Sequence, residues 1–329
     1  MFDNKILDGQ LSLFDLTTPI FKIHNPIRLI ELFAGVGSQA MALRDLGADF
    51  EHYKISEWEY NSNSSYKAIH SLDNTDYSFG MVRKEVVDAL MKLGISADGK
   101  KPMTYEEISR KNESWQRNIF NEFKQCRNIG SITNFCGADL EITDTDKYCY
   151  IMTYSFPCQD LSVAGKGAGM TKGSGTRSGL LWEVERLLNE VENLPQVLLM
   201  ENVPQVHGTK NMADFQKWIS FLESKGYTNT YQNLNSRNYG VAQNRNRTFM
   251  VSILGNYKYE FPKPIELTKV MKVHLEDEVD EKYYINNEKA QKLIDTLIEN
   301  GTIARAEQSR AEQSRAEQSR AEQSRADLR

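Results

Sequence analysis

The chain has 329 residues, 40% of them hydrophobic, which is ample for one sizeable core or two unequal domains. Its net charge of -5 excludes a protein that coats nucleic acid by charge alone, while leaving room for a local basic cleft. The longest apolar runs, such as "YCYIMTYSF", are too short to span a bilayer, so no membrane association is expected.

Residues 1–26 read as an N-terminal extension, with acids and no basic stretch ahead of an apolar core; no signal peptide is read, and a cytoplasmic protein is expected. "IRLIELFAGVG", from Ile27, predicts a buried strand running into a glycine turn. "SQAMALRDLG" predicts a helix closed by Gly47, and "DFEHYKISEWE" a second strand. Residues 60–130 are polar, charged and helical in flavour; they read as an insertion without chemistry of its own. Three strand-like runs follow, "YCYIMTYS", "VLLMENV" and "TFMVSIL". The helical stretches "GLLWEVERLLNEVEN" and "MADFQKWISFLESKG" separate them. Strands alternating with helices indicate an α/β fold, a doubly wound and mostly parallel sheet over residues 27–300. From Arg305 "RAEQS" occurs four times and "RADLR" follows. Five residues at about 100° each do not return to one helix face, and alanine is the only apolar residue in the unit. Residues 301–329 therefore read as a solvated low-complexity tail.

The four cysteines are Cys126, Cys136, Cys149 and Cys158. None lies in a C-x-x-C pair or at zinc-like spacing from a histidine, so neither a metal site nor a disulfide is expected. Cys158, in "SFPCQDLS", follows a predicted strand and so falls at the carboxyl edge of the sheet, where ligands bind in such folds. Pro157 stiffens the approach, and "GKGAGMTKGSGTRSG" beyond it is too glycine-rich for packed core. A buried inert cysteine is the bland alternative to a nucleophile. In "FAGVGS", Gly35 and Gly37 lie between strand and helix, where backbone amides can approach a polar ligand. Glu57 ends the second strand, where a carboxylate can take both hydroxyls of a ribose. A purely structural turn is the alternative. Asp139, in "CGADL", follows a predicted third strand and could hold an adenine amino group or simply close a turn. "LLMENVPQV" places Glu201 and Asn202 at the end of a neighbouring strand. An acid there, held protonated by burial, could donate to a ring nitrogen, or the pair could merely cap a turn. In "QNRNRTF", Arg245 and Arg247 alternate at a strand entrance and so share one face, suited to carbonyl or phosphate oxygens or simply to solvent.

"LIELFAGVGSQAMAL", "SFPCQDLSVAGKG", "MENVPQV", "LNSRNYGVAQNRNRTFMVSIL" and "FPKP", in that order, resemble the cytosine-C5 DNA methyltransferase family over roughly residues 27–290. The resemblance implies a Rossmann-like S-adenosylmethionine-dependent fold with S-adenosylmethionine as cofactor. Phe33, Gly35 and Gly37 would line its methionine and ribose portion. Glu57 would hold the ribose, Trp58 would pack on adenine, and Asp139 and Leu140 would contact the purine edge. Pro157 and Leu180 would complete the pocket. "GVGS" departs from members with a second adjacent glycine, but Ser38 is small. Cys158 would add to C6 of a flipped-out cytosine in double-stranded DNA while Glu201 donates to N3. Arg247 would hold the cytosine O2 and Arg245 would order the thiol site. The loop from Gln159 to about Gly175, with Ser162, Lys166 and Lys172, would close over the substrate.

Full-length relatives continue with a target-recognition domain and two closing motifs, and neither is found in this sequence. "RAEQS" can be encoded as AGAGC repeated three times, so gain or loss of one pentanucleotide would shift the reading frame. The expectation is a truncated, phase-variable member of a restriction-modification system, with a cognate restriction endonuclease acting on the same site. A tRNA cytosine-C5 methyltransferase remains an alternative. So does an inactive fragment or subunit completed by a second chain that carries the recognition domain.

Overall fold

The computed structural model describes residues 18–161, 168–268, 270–276, 278–283 and 287–301. Ser162, Lys166 and the repeat tail lie outside the described residues. Two units are distinguished, Met1–Lys269 and Val270–Arg329, so the second begins within the stretch that the sequence reads as one catalytic domain.

The first unit is built on a six-stranded sheet of order β2-β1-β3-β4-β6-β5. The strands are β1 (Ile27–Leu32), β2 (Phe50–Ser56), β3 (Cys149–Tyr154), β4 (Val197–Asn202), β5 (Tyr227–Asn235) and β6 (Asn246–Leu254). Pairings β1–β2, β1–β3 and β3–β4 are parallel; β4–β6 and β5–β6 are antiparallel. β1 is buried at every position except the half-buried Arg28, and β3 throughout, as strands covered on both faces should be. Alternate residues of β1 enter different clusters. Ile27 and Leu29 pack with Ala40 and Leu43 of helix α1 (Ser38–Asp45). Ile30 and Leu32 join the larger core, with Leu181, Trp182 and Leu187 of α6 (Leu181–Glu190) and Phe215, Trp218 and Leu222 of α7 (Met212–Ser224). There the Trp218 indole N–H donates to the Tyr154 hydroxyl at 3.1 Å, so the polar edge of the ring is satisfied inside the core.

Strand order reverses between β1 and β3: the chain runs outward from β1 to β2, then returns to pair β3 on the other side of β1. That switch point opens a crevice at the carboxyl ends of the strands. The turns after β1 and β3 and the end of β4 all lie along this edge.

The stretch predicted as a helical insertion folds as α2 (Tyr60–His70), α3 (Arg83–Leu93), α4 (Tyr105–Ser109) and α5 (Glu113–Gln125). It has its own core of Val86, Val87, Leu90, Ile95, Ile108, Ile119, Phe120 and Phe123. Thr104 and Glu107 cap α4 reciprocally, and Asn112 caps α5. Two expectations change. The strand expected before Asp139 is absent; Ile132 and Phe135 both enter the core, and Asp139 sits in a 3-10 turn, Gly137–Leu140. β5 was not anticipated, because its exposed and half-buried Thr, Asn and Gln residues mark a polar edge strand without an apolar run. In the second unit, Asn287 caps helix α8 (Glu288–Glu299) by accepting from the Ala290 N–H.

Leu90 has no exposed surface in the insertion core. Leu90→Ala is expected to lower unfolding free energy by about 2–5 kcal/mol in denaturant titration; a loss under about 1 kcal/mol would mean the insertion does not fold cooperatively with the sheet.

Candidate active site

The turn after β1 carries three residues with positive φ: Phe33 (58°), Gly35 (55°) and Gly37 (78°). The two glycines serve different ends. A Cβ on Gly37 would lie 2.4 Å from His70 Nε2 and 2.6 Å from Tyr66 Cε2, so this glycine admits helix α2. A Cβ on Gly35 would meet nothing within 4 Å, which leaves open ground above the turn.

Glu57, just past β2, borders that ground. One carboxylate oxygen accepts from the Gly35 N–H at 2.9 Å and the other from the Glu59 N–H at 2.8 Å. Burial raises its pKa, and the backbone hydrogen bonds oppose that rise. Asn128 holds the Glu57 backbone from both sides: its side-chain oxygen accepts from the Glu57 N–H at 3.2 Å, and its amide donates to the Glu57 carbonyl at 2.8 Å. Asn128 is buried at the end of the stretch read as having no chemistry, and its only sequence signal is "RNIG" after a helix.

Trp58 is half-buried and lines a 480 Å³ cleft with Met91, Met103, Tyr105 and Asn134. Asp139 is exposed and borders a smaller, 200 Å³ cleft with Lys92 and Lys124. Its Oδ2 accepts from the Cys136 N–H at 2.8 Å and the Cys136 thiol at 3.2 Å; the backbone hydrogen bond leads in lowering its pKa. Leu140 has no exposed surface, so its side chain supports this turn from the core and any purine contact falls to its backbone. Pro157 is half-buried, and Leu180 borders a third cleft, of 790 Å³, with Gly175, Thr176 and Gly179. An adenosylated cofactor fits this edge on two counts: the open ground over Gly35, and a carboxylate beside it whose position is set by backbone amides.

Cys158 is a free, half-buried cysteine in the turn after β3. On the neighbouring strand, the buried Asn202 donates from Nδ2 to the Phe156 carbonyl at 2.9 Å and accepts from the Val203 N–H at 2.8 Å. Glu201 lies on the same strand end. Arg247 Nε stands 3.1 Å from its Oε1, and Arg245 Nη2 stands 3.8 Å from the same oxygen. The two arginines share one face, as their spacing predicts, but the residue they share is Glu201. Arg245, expected to order the thiol site, is the more exposed of the pair and turns towards the carboxylate. Gln159 accepts from Arg177 Nη1 at 2.5 Å.

Beneath the glycine turn lies a group the sequence reading did not single out. Glu31, buried in β1, accepts from the Tyr66 hydroxyl at 2.7 Å and the Ala40 N–H at 3.3 Å. His52 Nδ1 meets the same hydroxyl at 2.9 Å, and His70 Nε2 lies 3.0 Å from the Val36 carbonyl. Burial pushes the Glu31 carboxyl up to about 7 against those two bonds. Burial also pushes His52 down to about 4, with His70 and Arg44 adding repulsion.

A mostly parallel α/β sheet with a glycine turn after its first strand, a half-buried cysteine after β3 and an acid–arginine cluster at the end of β4 defines a Rossmann-like protein. Sequence comparison makes this specific. The family model for C-5 cytosine-specific DNA methylase matches residues 90–327, and the chain belongs to that family. The orphan methyltransferase M.SssI of Spiroplasma monobiae is 39% identical over 265 residues, covering 79% of this chain and 68% of that protein. The type II methyltransferase M2.ScrFI of Lactococcus lactis subsp. cremoris is 37% identical over 265 residues, covering 79% and 71% respectively. The S. pombe Dnmt2 methyltransferase crystal structure shares the fold at a TM-score of 0.51 and 18% identity. It covers 82% of this chain, which spans 65% of that one.

The buried carboxyl gives a pH signature. Glu31's folded pKa, about 7, lies above its ordinary 4.5, so its contribution to stability is complete below about pH 4.5 and lost as pH rises through about 7. Glu31→Gln removes that dependence. The difference in unfolding free energy between wild type and variant should change by on the order of 3 kcal/mol between pH 4 and 8, with the variant gaining relative stability at the alkaline end. A pH-independent difference would show that Glu31 is not proton-linked to folding.

Proposed function

We propose that the chain transfers a methyl group from S-adenosylmethionine to C5 of a cytosine flipped out of duplex DNA. The observation that carries this reading is that the parallel strands β3 and β4 deliver the half-buried Cys158 turn and Glu201, which Arg247 of β6 holds, to one edge of the sheet, with Asn202 bonding to the chain just before Cys158. Phe33, the Gly35 turn, Glu57, Trp58, Asp139, Pro157 and Leu180 would hold the cofactor. When bound, it supplies an electrophilic sulfonium methyl.

The chain's residues supply the rest. Cytosine C5 is a weak nucleophile within an aromatic ring. Addition of the Cys158 thiolate to C6, with a proton passed from Glu201 to N3, makes C5 enamine-like and able to take the methyl. A base then removes the C5 proton, the C6–S bond breaks, and N3 returns its proton. Arg247 and Arg245 orient the Glu201 carboxyl group, and Arg247 would meet the cytosine O2. The target base must leave the duplex, because C5 and C6 cannot otherwise reach a thiol, and eversion costs a few kcal/mol of stacking.

DNA as substrate supports a cytoplasmic setting, and no described helix is long and apolar enough to cross a membrane. The type II name of the Lactococcus relative supports a restriction-modification role with a cognate endonuclease. The "RAEQS" repeat, which an AGAGC tract can encode, supports phase variation. Sequencing the locus checks this: codons that do not form an AGAGC tract would end the idea.

Transfer of labelled methyl groups to duplex DNA and to tRNA separates the leading reading from its alternatives. The expected product is 5-methylcytosine in DNA, abolished in Cys158→Ser and slowed roughly 10²–10⁴-fold in Glu201→Gln. Transfer to tRNA alone would move the substrate to RNA. No transfer to either would leave a binding subunit.

A further inference from the structure

Four hydrogen bonds connect the residues on either side of Cys158 to Arg177 and Ser178. The Ser178 hydroxyl donates to the Pro157 carbonyl at 2.7 Å and accepts from the Asp160 N–H at 3.3 Å. The Ser178 N–H donates to Asp160 Oδ2 at 3.1 Å, and Arg177 Nη1 donates to Gln159 Oε1. Residues 157, 159 and 160 are thus all pinned, and the one between them carries the thiol. Ser178 has no exposed surface, so its hydroxyl has no water to fall back on if a partner is lost. Asp160 is fastened a second time, since its carbonyl accepts from the Gly169 N–H at 3.0 Å.

Ser178 also opens the short 3-10 turn Ser178–Leu180 that runs directly into α6. Its third residue, Leu180, belongs to the expected cofactor wall. α6 is anchored in the core by Leu181, Val184 and Leu187, all fully buried. The bonds therefore set the height of the Cys158 turn against a 3-10 turn that includes Leu180 of the expected cofactor wall and leads into a core-anchored helix. Asn202 fixes the same turn from its other side, through Phe156.

We infer that Ser178 and Asp160 are positioning residues that hold the Cys158 sulfur at attacking distance from the pyrimidine and in register with the cofactor wall. The inference rests on the reading of Cys158 as the nucleophile. Neither residue touches the base; they act first on the rate of the thiol's attack, beyond any effect on cofactor affinity. A merely structural pair would instead move affinity, stability and rate together.

The test uses the full chain, S-adenosylmethionine and duplex DNA in which 5-fluorocytosine replaces cytosine, and measures the single-turnover rate of covalent adduct formation. Calorimetry with S-adenosylmethionine and thermal melting accompany it. Asp160→Ala and Ser178→Ala should slow the adduct roughly 10²-fold, a larger factor than their loss of cofactor affinity or melting temperature accounts for. Asp160→Asn keeps an oxygen acceptor for the Ser178 N–H and should retain most of the wild-type rate. Alanine variants that react at the wild-type rate, or slow only in proportion to lost cofactor affinity or melting temperature, overturn the inference. Should Ser178→Ala not fold, the two variants at the half-buried Asp160 decide alone. Absence of an adduct with wild type overturns the Cys158 reading and this inference with it; an adduct whose rate ignores both residues overturns this inference only.

Discussion

The hydrogen bond from Asn202 to the Phe156 carbonyl joins the two halves of the site. β3 and β4 pair in parallel, with Tyr154 opposite Met200, so both strands deliver their next residues to the same edge of the sheet. Pairing alone ends there, and the chain beyond Tyr154 turns away from the ladder. Asn202 extends the connection by one buried bond, binding the backbone two residues before Cys158 to the residue after Glu201. In a water-excluded site, a lost partner would leave the Phe156 carbonyl unsatisfied, and the turn would have to move to find another. The proposed reaction, in which one side chain attacks a ring as another protonates it, requires that separation to be constant.

The cofactor side follows the same logic with different groups. Backbone amides position Glu57, and a single buried asparagine from outside the strand positions the Glu57 backbone in turn. The helical insertion is thus joined to the site through Asn128, which also accepts from the Gly130 N–H and donates to Asn63. Below the turn, Glu31 and Tyr66 connect β1 to α2. Gly37 lets the helix approach closely enough for that bond to form.

Much of this was legible in the sequence, and the exceptions have physical reasons. β1, β3, β4 and β6 were readable because buried strands must be apolar runs bounded by turn residues. β5 pairs on one side only and tolerates polar residues, so it carries no such signature. The run before Asp139 contains apolar residues, but Ile132 and Phe135 reach the core from a turn, a geometry that periodicity does not distinguish from a short strand. Cys158, Glu201, Arg245 and Arg247 stood out because the proposed chemistry calls for those residue types near strand ends. Asn128, Ser178 and Asp160 did not, since their role consists of long-range hydrogen bonds and any polar residue in a loop looks alike in one dimension. Glu31 was hidden for the opposite reason: an acid in "LIEL" reads as part of a strand, and only its burial reveals that its pKa is raised.

The account stands on the identity of the atom that bonds to the base. Digestion of the chain after trapping on 5-fluorocytosine DNA, followed by mass mapping of the nucleotide-bearing peptide, addresses it directly. The account predicts that the modification falls on Cys158 and on none of Cys126, Cys136 or Cys149. A modified peptide lacking Cys158, or continued methyl transfer with no peptide modified, would contradict it.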